Sequence, residues 1–122
     1  MSYITRTGNL AETPTLRQGE NGPYAYARVL VSDRVQDAQG EWSDGPLVGY
    51  DVAVSGNQAV NLVEAANNSG NIRVTFSGTY KVTQFTGPSG TRLDHNVRAD
   101  EIGVSLRGQR VIVDRTPADS QD

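Results

Sequence analysis

The chain has 122 residues, 36% of them hydrophobic, 13 glycines and a formal net charge of −3, which fits one domain with a modest core and weighs against a strong polyanion binder. It has no cysteine, so a disulfide framework and a thiolate metal site are both excluded. The N-terminus, Met-Ser-Tyr-Ile-Thr-Arg-Thr-Gly, lacks the apolar run of a signal peptide or membrane span, and a cytoplasmic protein without membrane contact is expected.

Tyr3 to Thr7 reads as a short strand ending at the turn-prone pair Gly8-Asn9. Glu12 to Gly22 is polar, contains Pro14 and Gly19, and reads as a loop. From Tyr24 to Ser32 the residues alternate: Tyr24, Tyr26, Arg28, Leu30 and Ser32 lie on one face, Ala25, Ala27, Val29 and Val31 on the other. That is a second strand. Asp33 to Pro46 is charged, has Trp42 near its centre, and reads as a long hairpin loop. In the stretch from Leu47 to Ser55, Val48, Tyr50, Val52 and Val54 point one way and Gly49, Asp51, Ala53 and Ser55 the other, which predicts a third strand with one buried face. After Gly56 the period changes. Ala59, Leu62, Val63 and Ala66 fall three and four apart, one face of a helix, which the Asn- and Gly-rich stretch from Asn67 to Asn71 stops.

Ile72 to Phe85 is rich in β-branched and aromatic residues, with Gly78 as the place for a bulge or bend. Thr86 to Gly90 is a turn, and Arg92 to Ala99 returns as the second arm of a long hairpin. Val111 to Val113 reads as a short final strand, and from Asp114 a short polar tail, expected to be disordered, follows. The folded domain is therefore placed at residues 1–113 and the tail at 114–122. Three strands, a helix and a bent hairpin form the element order of an all-β OB-fold, a five-stranded Greek-key barrel with one short helix between its third and fourth strands.

Charge is spread unevenly. Asp114, Arg115, Asp119 and Asp122 contribute −2 of the net −3, leaving −1 on the first 113 residues. Ten of the eleven basic residues are arginine and only Lys81 is lysine. That bias fits phosphate recognition and fits equally the coding composition of a source genome.

Landmarks spread along the chain resemble those of the bacterial single-stranded DNA-binding proteins, the SSB family. Gly8-Asn9-Leu10, Pro14 and Leu16-Arg17 resemble its opening GNL-x-x-x-P-x-x-R, and Asn21-Gly22 through Ala27 to Ser32 its second strand. Gly40-Glu41 is similar to the tip of the following loop, and Val52 to Gly56 with Ala59 to the third strand running into the helix. Gly78 sits where the family has a glycine before its long hairpin, and Asp100 to Gly103 with Ser105-Leu106-Arg107 resembles an ending common in actinobacterial members. The resemblance spans residues 3 to 107. It implies a protein that coats single-stranded DNA without sequence preference in replication, recombination or repair. Bases would stack on aromatic side chains and phosphates would meet arginine and lysine. It also implies a homo-oligomer, a tetramer ahead of a dimer, associated with the nucleoid.

Carried over position by position, Phe85 falls where the family has a stacking tryptophan, while Gly49, Asp51 and Ser55 stand where aromatic and basic residues are usual. Trp42 lies a few residues from the expected aromatic and is a candidate substitute. Arg28, Arg34, Arg73, Lys81, Arg92 and Arg98 are candidate phosphate contacts, each weighed against an ordinary solvated charge. Tyr3 and Tyr50 are candidate oligomer-interface residues, with burial as the alternative for Tyr50; Tyr24 and Tyr26 belong to a groove rim or an interface. The family's long linker and acidic, hydrophobic tip find no counterpart in Thr-Pro-Ala-Asp-Ser-Gln-Asp, so tail-mediated recruitment is not expected and the chain reads as a divergent, actinobacterial-like or phage-like member.

Catalysis is not expected. The single histidine, His95, has no nucleophile or metal-ligand companion in sequence, and hairpin hydrogen bonding is its default role. No phosphate-cradling loop occurs, and neither a cofactor nor a metal is predicted. The other reading is an oligomeric OB-fold interaction module with little remaining nucleic-acid affinity, suggested by the acidic charge and by Asp51.

Overall fold

The structure, a computed structural model, describes residues 2–115. Seven elements follow in order: β1 (Ser2–Leu10), β2 (Arg17–Gly19), β3 (Gly22–Gln36), β4 (Trp42–Ser55), α1 (Asn57–Ser69), β5 (Arg73–Gly87) and β6 (Gly90–Val104). The sheet runs β1-β5-β6-β4-β3-β2, and β1 also pairs with β3 through Asn9 and Leu10. That last pairing closes β1, β3, β4, β5 and β6 into a five-stranded barrel with one helix, the expected OB-fold.

Alternation decides what fills the barrel. Ala25, Ala27, Val29 and Val31 of β3 and Tyr50, Val52 and Val54 of β4 are buried, as their period predicts. They meet Leu10, Val74, Phe76 and Val97 from the other strands. α1 packs Ala59, Leu62, Val63 and Ala66 against this core, the four residues picked out by helical spacing. Its Gln58 side chain reaches β6, donating to the carbonyl of Asp100 and accepting from the amide of Ile102. Those two bonds hold a bulge: Ser77 pairs with Glu101 but Gly78 with Ala99, so Asp100 is an extra residue on β6. Gly78 is required there, because a Cβ would fall on the Arg98 carbonyl and within 2.7 Å of Ala99 Cα.

Three expectations are corrected. The segment from Glu12 to Gly22 is not wholly loop: Arg17–Gly19 pairs with Gly22–Tyr24 around the two-residue turn Glu20-Asn21. This strand is exposed throughout and carries no apolar alternation, so pairing alone defines it. Nor is the segment from Asp33 to Pro46 a long loop. β3 runs to Gln36 and β4 begins at Trp42, leaving five residues between them. There the Asp37 carboxylate accepts from the amides of Gln39 and Glu41 and shapes the turn. Val111–Val113 forms no strand, and Ile112 is 95% exposed. The Gln109 side chain instead pairs with the backbone N–H and C=O of Arg73 at the start of β5. Of the tail, only residues 114–115 are described and they carry no regular structure; the rest of the tail prediction lies outside the described residues.

Candidate nucleic-acid interface

The outer faces of β3, β4, β6 and β5 form one continuous surface because these strands are neighbours in that order. β4 runs parallel to β6, placing Asp51 beside Asn96 and Ala53 beside Arg98. Pairings on either side extend these into two rows. One runs Lys81, Asn96, Asp51, Arg28; the next runs Tyr3, Thr79, Arg98, Ala53, Tyr26. Residues from five strands are thereby aligned that no sequence spacing relates.

Beyond the first row, β5 and β6 continue as a two-stranded arm turning at Pro88-Ser89. Phe85 lies on its outer face opposite Arg92, 52% exposed, with the Arg92 guanidinium carbon 4.7 Å from the ring centroid. This cation–π contact braces an aromatic face at the surface. Arg92 also meets the Asp94 carboxylate at 3.2 Å.

Trp42 is 57% exposed at the start of β4, opposite Gln36, on the second arm. Ser32 pairs with Leu47 but Arg34 with Asp44, so β4 carries an extra residue and its alternation reverses. The reversal brings Trp42 and Asp44 to the outer face shared with Arg34. Arg34 and Asp44 form an exposed ion pair at 3.2 Å.

Arg28 and Asp51 face each other across β3 and β4, Nη1 to Oδ1 at 3.0 Å. Beside them the loop before β2 forms an open cleft of about 260 Å³, lined by Glu12, Pro14, Arg17, Tyr26, Arg28 and Asp51 among others. Arg28, Arg34 and Arg92 are thus each matched by an aspartate, whereas Lys81 and Arg98 make no ion pair among the described residues.

Two sequence-predicted residues lie elsewhere. Arg73 begins β5, twelve residues from Phe85 and about 40 Å away along an extended strand. Its Nε is buried without a hydrogen-bond partner. Tyr50 is 7% exposed, its ring packed on Phe76, Tyr80 and His95 inside the barrel, which is the burial alternative rather than a subunit contact. His95 stacks on Tyr80 and shares a 2.7 Å hydrogen bond with its hydroxyl, the hairpin role expected of it. Tyr3 is exposed on β1 at the end of the second row, and a hydrogen bond to Asp100 raises its phenol pKa. Tyr26, expected at a groove rim or an interface, lies in the second row and borders the cleft, and Arg17 lines the same cleft although sequence reasoning did not single it out. Tyr26 had a usable signal in its place on the face of Arg28; Arg17 had only its place in the Leu16-Arg17 landmark.

No family model matches the chain. It is 32% identical over 117 residues to a single-stranded DNA-binding protein of Corynebacterium glutamicum, an alignment covering 93% of this chain and 51% of that protein. The chain thus spans about half the length of this curated relative. The crystal structure of a small single-stranded DNA-binding protein from Streptomyces coelicolor superposes with a TM-score of 0.71 at 29% identity, covering 87% of this chain and 95% of that one. A deletion variant of the Thermus aquaticus single-stranded DNA-binding protein matches in fold, with a TM-score of 0.61 at 18% identity over 89% of this chain and 53% of that one. By sequence and architecture together, the chain is similar to single-stranded DNA-binding proteins and shares their barrel fold.

Proposed function

We propose that the protein binds single-stranded DNA without sequence preference, coating exposed strands in replication, recombination or repair, and performs no chemistry on them. The carrying observation is the continuous outer surface, on which an exposed Phe85 braced by Arg92 stands four residues along β5 from Lys81, with Arg98 in the row beyond. A stacked base contributes about 1–3 kcal/mol without demanding a particular base, and each phosphate neutralised adds about −0.7 to the slope of log K against log salt. Few unpaired cations mean a shallow slope. The test is fluorescence anisotropy of labelled oligo-dT, roughly 30–60 nucleotides long, across a salt series. Binding at low salt that weakens gently with salt supports the reading, and no binding at low salt overturns it.

The protein acts in the cytoplasm as a homo-oligomer. β1 supports assembly: it pairs with β5 along Ser2–Asn9 but with β3 only at Asn9 and Leu10, leaving an open edge over most of its length. Tyr3 is exposed on that strand. Sedimentation equilibrium distinguishes tetramer, dimer and monomer. The paired states of Arg28, Arg34 and Arg92 favour a second reading, an interaction module with little nucleic-acid affinity. Co-purification of a protein partner with no oligonucleotide binding would select it.

A further inference from the structure

We infer that Arg28 serves as a base-stacking platform, its guanidinium laid flat on Gly49 and anchored by Asp51, rather than as a phosphate contact. This rests on the strand-binding reading above and assigns a role within it. A Cβ built on Gly49 would lie 2.5 Å from Arg28 Nη2, 2.6 Å from Cζ and 2.9 Å from Nε. For an approach edge-on in the plane, Cζ would be the farthest of the three. It is not, so the guanidinium presents its face to the sheet and covers the glycine. Only glycine leaves this seat, since any side chain at position 49 would stand where the guanidinium lies.

The seat places a planar group on the surface where an aromatic is missing. Asp51 holds it from the side, Nη1 to Oδ1 at 3.0 Å, leaving the second face of the plane unobstructed by this pair. Both side chains remain accessible, Arg28 47% and Asp51 38% exposed. The platform also lines the 260 Å³ cleft, which Tyr26 and the loop carrying Pro14 border. That space is many times the roughly 30 Å³ share of one water, and it suits a flat ring. Guanidinium planes stack on bases as aromatic rings do, and an arginine fixed in place loses little conformational freedom on binding. Because Asp51 already neutralises Arg28, the residue supplies a planar face while adding little to counterion release. The glycine and aspartate that remove the aromatic and basic side chains from β4 are therefore the two groups that position their replacement from β3.

Oligo-dT anisotropy with the full chain across a salt series separates the roles. Arg28→Ala is expected to weaken binding about 5- to 150-fold, the range of one stacked base, with the salt slope unchanged. Arg28→Lys should be nearly as weak, since an ammonium has no plane, whereas Arg28→Tyr should recover most of the affinity. Gly49→Ala should weaken binding with little effect on stability, because only the flexible end of Arg28 has to move. A lysine variant that binds like the parent, or an alanine variant whose slope becomes shallower by about 0.7, would make Arg28 a phosphate contact and overturn the inference while leaving strand binding intact. Unaltered affinity in Arg28→Ala would also overturn it. Failure of the parent chain itself to bind would instead remove the function on which the inference rests.

Discussion

The two arms that leave the barrel are of similar length and differ in how they are built. The β5–β6 arm is regular: from Gly78 to Gly87 every residue has its partner, and a two-residue turn closes it. Its outer face carries Lys81, Phe85 and Arg92, with the arginine over the aromatic ring. The β3–β4 arm carries an extra residue on β4 and a five-residue loop shaped by Asp37, and its arginine is drawn to Asp44 rather than to Trp42. A regular arm holds its aromatic at a set height and angle, whereas a bulged arm sets the facing of its aromatic through the bulge. From this difference we propose Phe85 as the positioned stacking group and Trp42 as the subsidiary one.

Substitutions test that contrast. The largest effect is expected from Gly78→Val at the root of the regular arm, where the new side chain would meet the backbone of Arg98 and Ala99. Destabilisation of about 3 kcal/mol in urea unfolding is expected, and a variant of unchanged stability would show that the strands are not so closely apposed there. Phe85→Ala should lower oligo-dT affinity by about 1–3 kcal/mol while leaving stability within about 0.5 kcal/mol, as its ring is exposed. Trp42→Ala should cost less, near the lower end of about 1 kcal/mol. Equal losses at the two positions would erase the distinction between the arms. Trp42 is the single tryptophan, so its fluorescence during titration reports the second arm alone. Asp44→Ala should change stability by less than about 1 kcal/mol, since exposed ion pairs contribute little, yet free Arg34 and steepen the salt slope by about 0.7.

The smallest effect concerns the base of the regular arm. Burial, followed by the neighbouring Tyr50, holds the Tyr80 phenol above its ordinary pKa of 10.0. Above that pH the unfolded chain loses this proton before the folded one, so stability falls as pH rises through the tyrosine range. Tyr80→Phe should flatten that alkaline limb and also remove the hydrogen bond to His95. A limb unaltered in the variant would place the titration elsewhere.

Much of this was legible before any coordinates. Period-two stretches in β3 and β4 placed their buried residues on the correct face, helical spacing named all four core residues of α1, and Gly78 marked the irregularity in the hairpin. These are local signals, because burial imprints its period on contiguous residues. Less of the site could be read. Arg34 to Trp42 resembles a loop because both strands are exposed on both faces there, so no period is written into them. Arg17–Gly19 fails for the same reason. Arg73 resembled the other basic residues in sequence, and only its place at the start of β5 separates it from Lys81 and Phe85.

By itself the sequence determined an all-β barrel with one helix and a likeness to single-stranded DNA-binding proteins, and that likeness pointed to Phe85 as a candidate stacking aromatic. Tertiary structure decided which charges act together. Lys81, Asn96, Asp51 and Arg28 align because β4 and β6, far apart in the chain, lie side by side and in parallel. It also decided that Tyr50 turns inward, that a bulge brings Trp42 to the outer face, and that Gly49 lies beneath Arg28. Each depends on cross-strand register, which arises from pairing distant segments and leaves no period within either one.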